Sequence, residues 1–324
     1  MKTEKIEIVV CTDRGFVMPT GVMIYSVCTN NQEVEIVFHV VHDDSLRAKD
    51  KQDLKETVKG FDGKTVLFYQ VDVTKFPCFP NTAKGASVTQ AAYYRLLISE
   101  ILPKTIQKVL YMDGDIIVRH SLLPLWNTDL KDYPLGAVID SIGDNPEFYQ
   151  RLNYSPKLGY FNSGVMLINL EYWREHEVVK DFLGILKEYG DNLKFWDQDV
   201  LNISFSENKF LLPIKYNFMS GFLWMQAQYS SKYENEVLEA RKDPVIVHFA
   251  GSKPWEAYQR NLHPFRSTFF KFQNQTKWKG IKTDRRPFKL RVINFVADML
   301  RKFGLKSQSH ILVASKFNDI TPID

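Results

Sequence analysis

Ile8-Val9-Val10-Cys11-Thr12-Asp13 is an unbroken apolar run that ends in an acid, and it is the first of a series. A short apolar run rich in β-branched residues reads as a buried strand. Working outward, similar runs recur at 35–41, 65–69, 108–112 and 135–139, with amphipathic patterns of helical period at 19–29, 45–59 and 89–101 between them. Ser45 and Thr89 stand where helix N-caps belong. Strands alternating with helices over roughly the first 140 residues predict an α/β fold, a parallel sheet covered by helices. Further strands are expected at 164–169 and 245–249, and further helices at 171–189 and 198–205.

Open α/β sheets bind ligands beyond the carboxyl ends of their strands, so the polar residues that follow buried runs are the first candidates for a site. Asp13 is one. A second place is Val109-Leu110-Tyr111-Met112-Asp113-Gly114-Asp115-Ile116-Ile117-Val118, two acids framed by apolar residues on both sides. Neither G-x-G-x-x-G nor G-x-x-x-x-G-K-[ST] follows the first strand, which sets aside a dinucleotide site and a P-loop. Two carboxylates one residue apart on a turn grip a hard divalent cation that also binds a diphosphate. Such a cation neutralises charge on leaving phosphate oxygens. The competing reading is a plain strand-end turn, but carboxylates wedged between apolar runs are expensive to bury without a cation or a basic partner.

With 324 residues, 44% apolar and 25% charged, the chain has ample length to bury a core. No stretch is apolar for the 18 or so residues a membrane span needs, and the start of the chain leads into a strand rather than a signal-peptide core, so a cytoplasmic protein is expected. Cys11, Cys28 and Cys78 are odd in number and lack C-x-x-C spacing, which points to neither a disulfide framework nor a zinc site. Residues 282–306 hold eight Lys/Arg against Asp284 and Asp298, a local charge of +6; taken from the formal +4, this leaves −2 for the rest, so nucleic-acid binding is not implied. Within that basic segment Phe288, Val292, Phe295, Val296, Met299 and Phe303 recur at helical spacing. A basic amphipathic helix of this kind lies on an anionic membrane surface or packs on the protein body, and the pattern serves either.

Tyr111-Met112-Asp113-Gly114-Asp115, Tyr160-Phe161-Asn162-Ser163-Gly164-Val165, Trp196-Asp197-Gln198-Asp199 and His248-Phe249-Ala250-Gly251-Ser252-Lys253-Pro254-Trp255, in that order, resemble glycosyltransferase family 8. The likeness runs from about Ile8 to Trp255 and is greatest to the bacterial lipopolysaccharide galactosyl- and glucosyltransferases, with a more distant likeness to glycogenin. It implies a GT-A type, Rossmann-like nucleotide-binding domain, here residues 1–265, followed by a mainly helical basic extension, 266–324. It further implies retaining transfer of glucose or galactose from UDP-glucose or UDP-galactose to a saccharide or glycolipid acceptor of the cell envelope. The cofactor implied is Mn²⁺, with Mg²⁺ as the alternative, and the location is cytoplasmic or peripheral on the inner face of the membrane.

Carried over residue by residue, the resemblance makes Asp113, Asp115 and His248 the metal ligands, a mixed oxygen and nitrogen set that suits Mn²⁺ better than Mg²⁺. Asp13 receives the uracil and Thr12 lines the same pocket, while Gly114 lies against the donor. Arg95 reaches sugar hydroxyls or phosphate from a helix, Asp140 and Asn162 bind the hexose, and Lys253 meets the diphosphate where Gly251 permits close backbone approach. Asp197 and Gln198 sit beneath the sugar as catalytic candidates, whereas the spacing of Asp199 suits a helix support. Two departures from the relatives are Arg14-Gly15, in place of an acid and an Asn, and a His248-to-Lys253 spacing shorter by one residue. Other classes compatible with paired carboxylates are a sugar-phosphate nucleotidyltransferase and a non-catalytic sugar- or nucleotide-binding module; a haloacid-dehalogenase-type phosphatase fits poorly, because Ile117 stands where its motif has Thr or Val.

Overall fold

The computed structural model of the chain describes residues 4–72, 74, 76, 79, 90–223, 227–251, 253–255, 263–281 and 288–305. The strands are β1 (Lys5–Thr12), β2 (Glu35–His42), β3 (Lys64–Gln70), β4 (Lys108–Met112), β5 (Ile116–Val118), β6 (Leu135–Ile139), β7 (Phe161–Asn169), β8 (Phe210–Leu211), β9 (Phe218–Met219) and β10 (Ile246–His248). Seven form one sheet in the order β3-β2-β1-β4-β7-β6-β8, and a smaller sheet has the order β5-β10-β9. β1 pairs in parallel with β2 on one side and with β4 on the other. The strand order therefore reverses at β1 and β4, where a crevice opens at their carboxyl ends.

The alternating apolar runs thus make an α/β fold, but the sheet is mixed rather than parallel. β7 runs antiparallel to both β4 and β6. β6 ends at the same end of the sheet as β4, and the connection through helix Pro146–Leu152 re-enters there, so β7 has to run back. An apolar run carries no sign of its direction, which is why the sequence does not show this. The continuous apolar character of β1 has a direct cause: Ile6, Ile8 and Val10 pack on one face, with Phe38 and with Val22 and Val27 of α1 (Val17–Asn30). Val9 and Cys11 pack on the other, with Val109, Tyr111, Trp173 and Phe182. A strand buried on both faces does not alternate. Each fully buried large side chain among these contributes roughly 1.5–3 kcal/mol.

Most expected helices form with shifted ends. α1 is two residues longer at its start than its pattern, and α2 (Ala48–Val58) begins three residues after Ser45. Asp50 caps α2 by accepting from the Arg47 N–H at 3.1 Å, and Ser45 instead donates its backbone N–H to Asp43 Oδ1 at 2.9 Å. Thr89 lies outside the described residues; Gln90–Leu97 is a 3-10 helix that widens into α-helix only at Ile98–Ile101. The pattern at 171–189 is two helices, Leu170–Glu175 and Val178–Tyr189, broken at Glu177 with φ 47°.

The expected domain boundary at 265/266 falls beside packed structure. Helix Arg266–Gln273 buries Phe269, and Trp278 lies so close over α1 that a Cβ at Gly21 would meet its ring at 2.0 Å. Beyond it, helix Phe288–Lys302 leaves Val292, Val296 and Met299 exposed, with Phe295 66% and Phe303 71% exposed. The five residues Val292, Phe295, Val296, Met299 and Phe303 of the stripe read from the sequence therefore face solvent. No helix among the described residues is long and apolar enough to cross a membrane.

His263 ties this region to the strand that carries His248. Its ring packs 4.7 Å from Phe249, and its Nδ1 accepts from the Phe265 N–H at 3.2 Å. Burial pushes the imidazole down to about 3. An unfolded chain protonates this group near 6.5, so stability present above that pH is lost as the pH falls towards 3, at about 1.4 kcal/mol per unit. The unfolding free energy of the wild type, from urea titration, should therefore drop by about 2 kcal/mol between pH 7 and pH 5 from this residue alone. His263→Asn, which keeps an acceptor for Phe265, should flatten that slope.

Candidate active site

Asp113 follows β4 and Asp115 precedes β5, with Gly114 making the turn between them. The Asp113 N–H donates to Gly164 O at 2.8 Å, which fixes this turn against β7. β10 pairs antiparallel with β5, with His248 opposite Ile116, and the Phe249 N–H donates to Asp115 O at 3.0 Å. This short pairing delivers the imidazole to the carboxylates from 130 residues further along the chain. His248 Nε2 stands 3.3 Å from Asp115 Oδ1 and 3.8 Å from Asp113 Oδ2. One ligand atom from each of the three residues lies within 4.8 Å of the others, a spacing that fits one divalent cation. Gly164 is what leaves room for it: a Cβ there would come within 2.3 Å of His248 Cε1 and 2.9 Å of Asp113 Oδ2.

Behind the carboxylates lies Arg95. It is buried and its guanidinium is fully engaged: Nη2 donates to Asp113 Oδ1 at 2.9 Å, Nη1 to Ser163 O at 3.0 Å, and Nε lies 3.1 Å from Asp197 Oδ2. Its plane stacks over Tyr111, whose hydroxyl donates to the same Asp113 oxygen at 2.8 Å. Burial opposes the guanidinium charge, but Asp113 and Asp197 outweigh it and the group is held above its ordinary range. Arg95 thus lines the cleft while positioning two acids, a role the sequence reading had not given it. Burial also raises Asp197, to about 6, with Arg95 opposing and Asp113 adding to the rise. Asp115 behaves oppositely: burial pushes its carboxyl up, yet Lys253 and His248 hold it well below the usual range. Burial pushes the Cys11 thiol up to about 12, so no thiolate is on offer in the cleft.

A second polar cluster adjoins the first. Asn162 Nδ2 donates to Asp140 Oδ2 and to Gln198 Oε1, both at 3.0 Å, and Gln198 Nε2 donates to Asp140 Oδ2 at 3.1 Å. The Ser163 N–H also reaches Gln198 Oε1, at 3.1 Å. Helix Trp196–Ser204 presents Asp197 and Gln198 inward, starting from Trp196 at φ 47°, a left-handed conformation that costs a non-glycine residue about 1–3 kcal/mol. Asp199 supports this helix as its spacing suggests: it is fully buried, bound by both Arg151 Nη atoms, by the Tyr160 hydroxyl at 2.7 Å and by the Phe195 N–H at 2.8 Å.

These groups surround one cleft of about 290 Å³. Thr12, Asp13, Arg95, Asp113, Gly114, Asp115, Asn162, Asp197, Gln198, His248, Gly251 and Lys253 all line it, so the structure gathers residues drawn from six separate segments. Asp140 is not among the lining residues and sits behind Asn162 and Gln198. Asp13 lines the cleft and at the same time caps the 3-10 turn Arg14–Phe16, with Oδ1 accepting from the Gly15 and Phe16 N–H groups. Gly251 has φ 88°, open to glycine alone without strain. Sequence reasoning missed Phe195, Trp196 and Ser163, which also line the cleft, and Asn217, which stands behind it. Asn217 follows no long apolar strand, so no pattern flags it.

An α/β sheet with a carboxylate pair and a histidine gathered at its switch point, beside a cleft rich in sugar-type hydrogen-bonding groups, is the arrangement of a glycosyltransferase. The chain belongs to glycosyl transferase family 8, whose sequence model matches residues 7–259. It is 30% identical to general stress protein A of Bacillus subtilis over 287 residues, 86% of this chain and 97% of that protein. It is 27% identical to a lipopolysaccharide 1,2-glucosyltransferase of Escherichia coli, over 83% of each chain. Among solved structures, the galactosyltransferase LgtC in complex with donor and acceptor sugar analogues superposes with a TM-score of 0.75 at 28% identity, covering 89% of this chain and 99% of that one. The chain is a hexosyltransferase of GT-A fold.

Proposed function

We propose that the chain moves glucose or galactose from the corresponding UDP-hexose to a saccharide or glycolipid acceptor, of lipopolysaccharide or another cell-envelope glycan, with retention of configuration. The observation that carries this reading is the Asp113, Asp115 and His248 cluster on the wall of the cleft at the sheet's switch point. Mn²⁺, or Mg²⁺ in its place, would be held there and would supply charge neutralisation for the departing UDP.

The chain's own residues supply the rest. Thr12 and Asp13 border the end of the cleft assigned to the base, and Gly114 and Gly251 let the backbone approach the diphosphate. Lys253 reaches Asp115 and is placed to turn to the phosphates. Asn162, with Asp140 behind it, offers polar contacts to the hexose hydroxyls. Arg95 holds Asp113 and Asp197 in place rather than touching the sugar. The Gln198 carbonyl already accepts from Asn162 and from the Ser163 N–H, which makes it an orienting group and a poor nucleophile. We therefore favour transfer on one face: the bond from the anomeric carbon to UDP breaks, the acceptor oxygen bonds to that carbon, and the departing phosphate oxygen takes the acceptor's proton. Asp197 then serves to hydrogen-bond the donor.

Residues 1–265 form the catalytic domain in this reading, with 266–281 packed on it and helix Phe288–Lys302 as the appendage. The exposed Phe295 and Phe303 beside the basic residues of that helix favour peripheral attachment to an anionic membrane. Vesicles rich in anionic lipid should sediment the wild type and lose most of a Phe295→Glu/Phe303→Glu variant, while neutral vesicles retain neither.

The test of the activity is UDP release from a panel of UDP-sugars with Mn²⁺, Mg²⁺ or EDTA, since slow donor hydrolysis needs no acceptor. One UDP-hexose should be turned over, and only with metal. Pyrophosphate release from a nucleoside triphosphate plus a sugar phosphate, with no UDP-sugar bound or hydrolysed, would replace this reading with a nucleotidyltransferase.

A further inference from the structure

Asn217, which lies just ahead of β9, is fully buried and does not itself line the cleft, yet it joins two of its walls from behind. Its Nδ2 donates to Asn162 Oδ1 at 2.8 Å, and its Oδ1 lies 3.0 Å from His248 Nδ1. The direction of every bond in this chain follows from one backbone group. The Gly164 N–H can only donate, and it points at Asn162 Oδ1 at 2.9 Å, so that atom is the carbonyl oxygen of Asn162. The Asn217 atom facing the same oxygen must then be its amide nitrogen. Its other terminal atom is therefore an acceptor, and the imidazole nitrogen against it has to carry the proton.

We infer that Asn217 is a positioning residue that selects the tautomer of His248, placing the proton on Nδ1 so that Nε2 is the nitrogen available to a cation held with Asp113 and Asp115. The inference rests on the metal-site reading above and deepens it. A metal-ligating histidine has its free nitrogen fixed by an outer partner, and loss of such a partner typically weakens metal binding about 10–100-fold. The usual partner is a carboxylate or a backbone carbonyl; an amide adds a second arm, because only an amide both accepts from His248 and donates to Asn162. Asn162 in turn donates to Asp140 and Gln198, so a single side chain sets the register between the imidazole and the polar cluster assigned to the hexose.

Two variants separate the arms. Asn217→Ala removes both and should weaken Mn²⁺ binding, read as free Mn²⁺ by electron paramagnetic resonance, by about 10–100-fold. Asn217→Asp keeps an acceptor for Nδ1–H and should retain Mn²⁺ affinity within a few-fold, while losing the donor to Asn162 and so raising KM for the UDP-hexose. A purely structural role would impair both measurements together in both variants. Nitrogen-15 NMR of the wild type needs no variant to fold: His248, recognised by its absence from His248→Ala, should show a proton on Nδ1. A wild type whose His248 Nδ1 bears no proton, or an Asn217→Ala protein that binds Mn²⁺ as the wild type does, overturns the inference. If the wild type binds no divalent metal at all while its His248 is protonated on Nδ1, the metal-site reading fails and the tautomer assignment stands.

Discussion

Asp115→Asn should lower kcat/KM for the UDP-hexose by about 10³-fold or more, because charge stabilisation by a bound cation supplies several kcal/mol in the transition state. The substitution keeps the shape of the side chain and removes its charge. In the wild type that charge is held by Lys253 and His248 from two sides, in a site only 5% exposed. Removing it leaves both bases beside a neutral amide, so the variant loses stability as well as metal. The two losses are separable. Asp115→Asn/Lys253→Met removes the orphaned cation, and its urea midpoint should recover towards that of the wild type while its activity stays lost. Saturating Mn²⁺ should not rescue either protein, since the remaining Asp113 and His248 make an incomplete set. An Asp115→Asn enzyme with a tenth or more of wild-type activity would rule the cluster out as the metal site.

How far the sequence carries depends on whether a residue's neighbours are close in the chain. β1 and β4 are legible because both faces of each are buried, and Asp13, Asp113 and Asp115 are legible because an acid at the end of such a run stands out. Strands β5, β8 and β9, of two or three residues, are too short to show any period, and β5 and β9 are what bring His248 and Asn217 to the site. His248 itself was found only through the resemblance, since a lone histidine after an apolar run has many uses. Arg95 is visible as a residue, but its partners Asp113, Ser163 and Asp197 come from three other segments, so its role as an internal clamp cannot be read locally. The antiparallel course of β7 and the packing of Trp278 over Gly21 are likewise long-range facts, decided by where the chain re-enters the sheet and by which surface is left to cover.

That clamp carries the other large expected effect. Arg95→Met keeps much of the aliphatic stem and removes the guanidinium that stacks on Tyr111, leaving Asp113 and Asp197 without the cation between them. Breaking a buried pair by deleting one partner typically costs about 3–5 kcal/mol. Asp197, already raised to about 6 by burial, should rise further and be mostly protonated at neutral pH, which limits the damage to stability but changes the site. Asp113 loses its Nη2 donor and keeps only Tyr111 on that oxygen, so the geometry of the metal cluster loosens. Activity should therefore fall by about 10²-fold or more even where the protein is fully folded, because an error near 1 Å in a positioned group has that effect. Arg95→Lys makes the sharper test. A lysine restores the charge but not the planar fork, so it cannot reach Asp113, Ser163 and Asp197 at once. Stability should return in part, by denaturant titration, while kcat stays low. Recovery of both together would mean that the charge of Arg95 is enough and that its geometry is incidental, whereas loss of KM alone would return it to the donor-contacting role expected from the family resemblance.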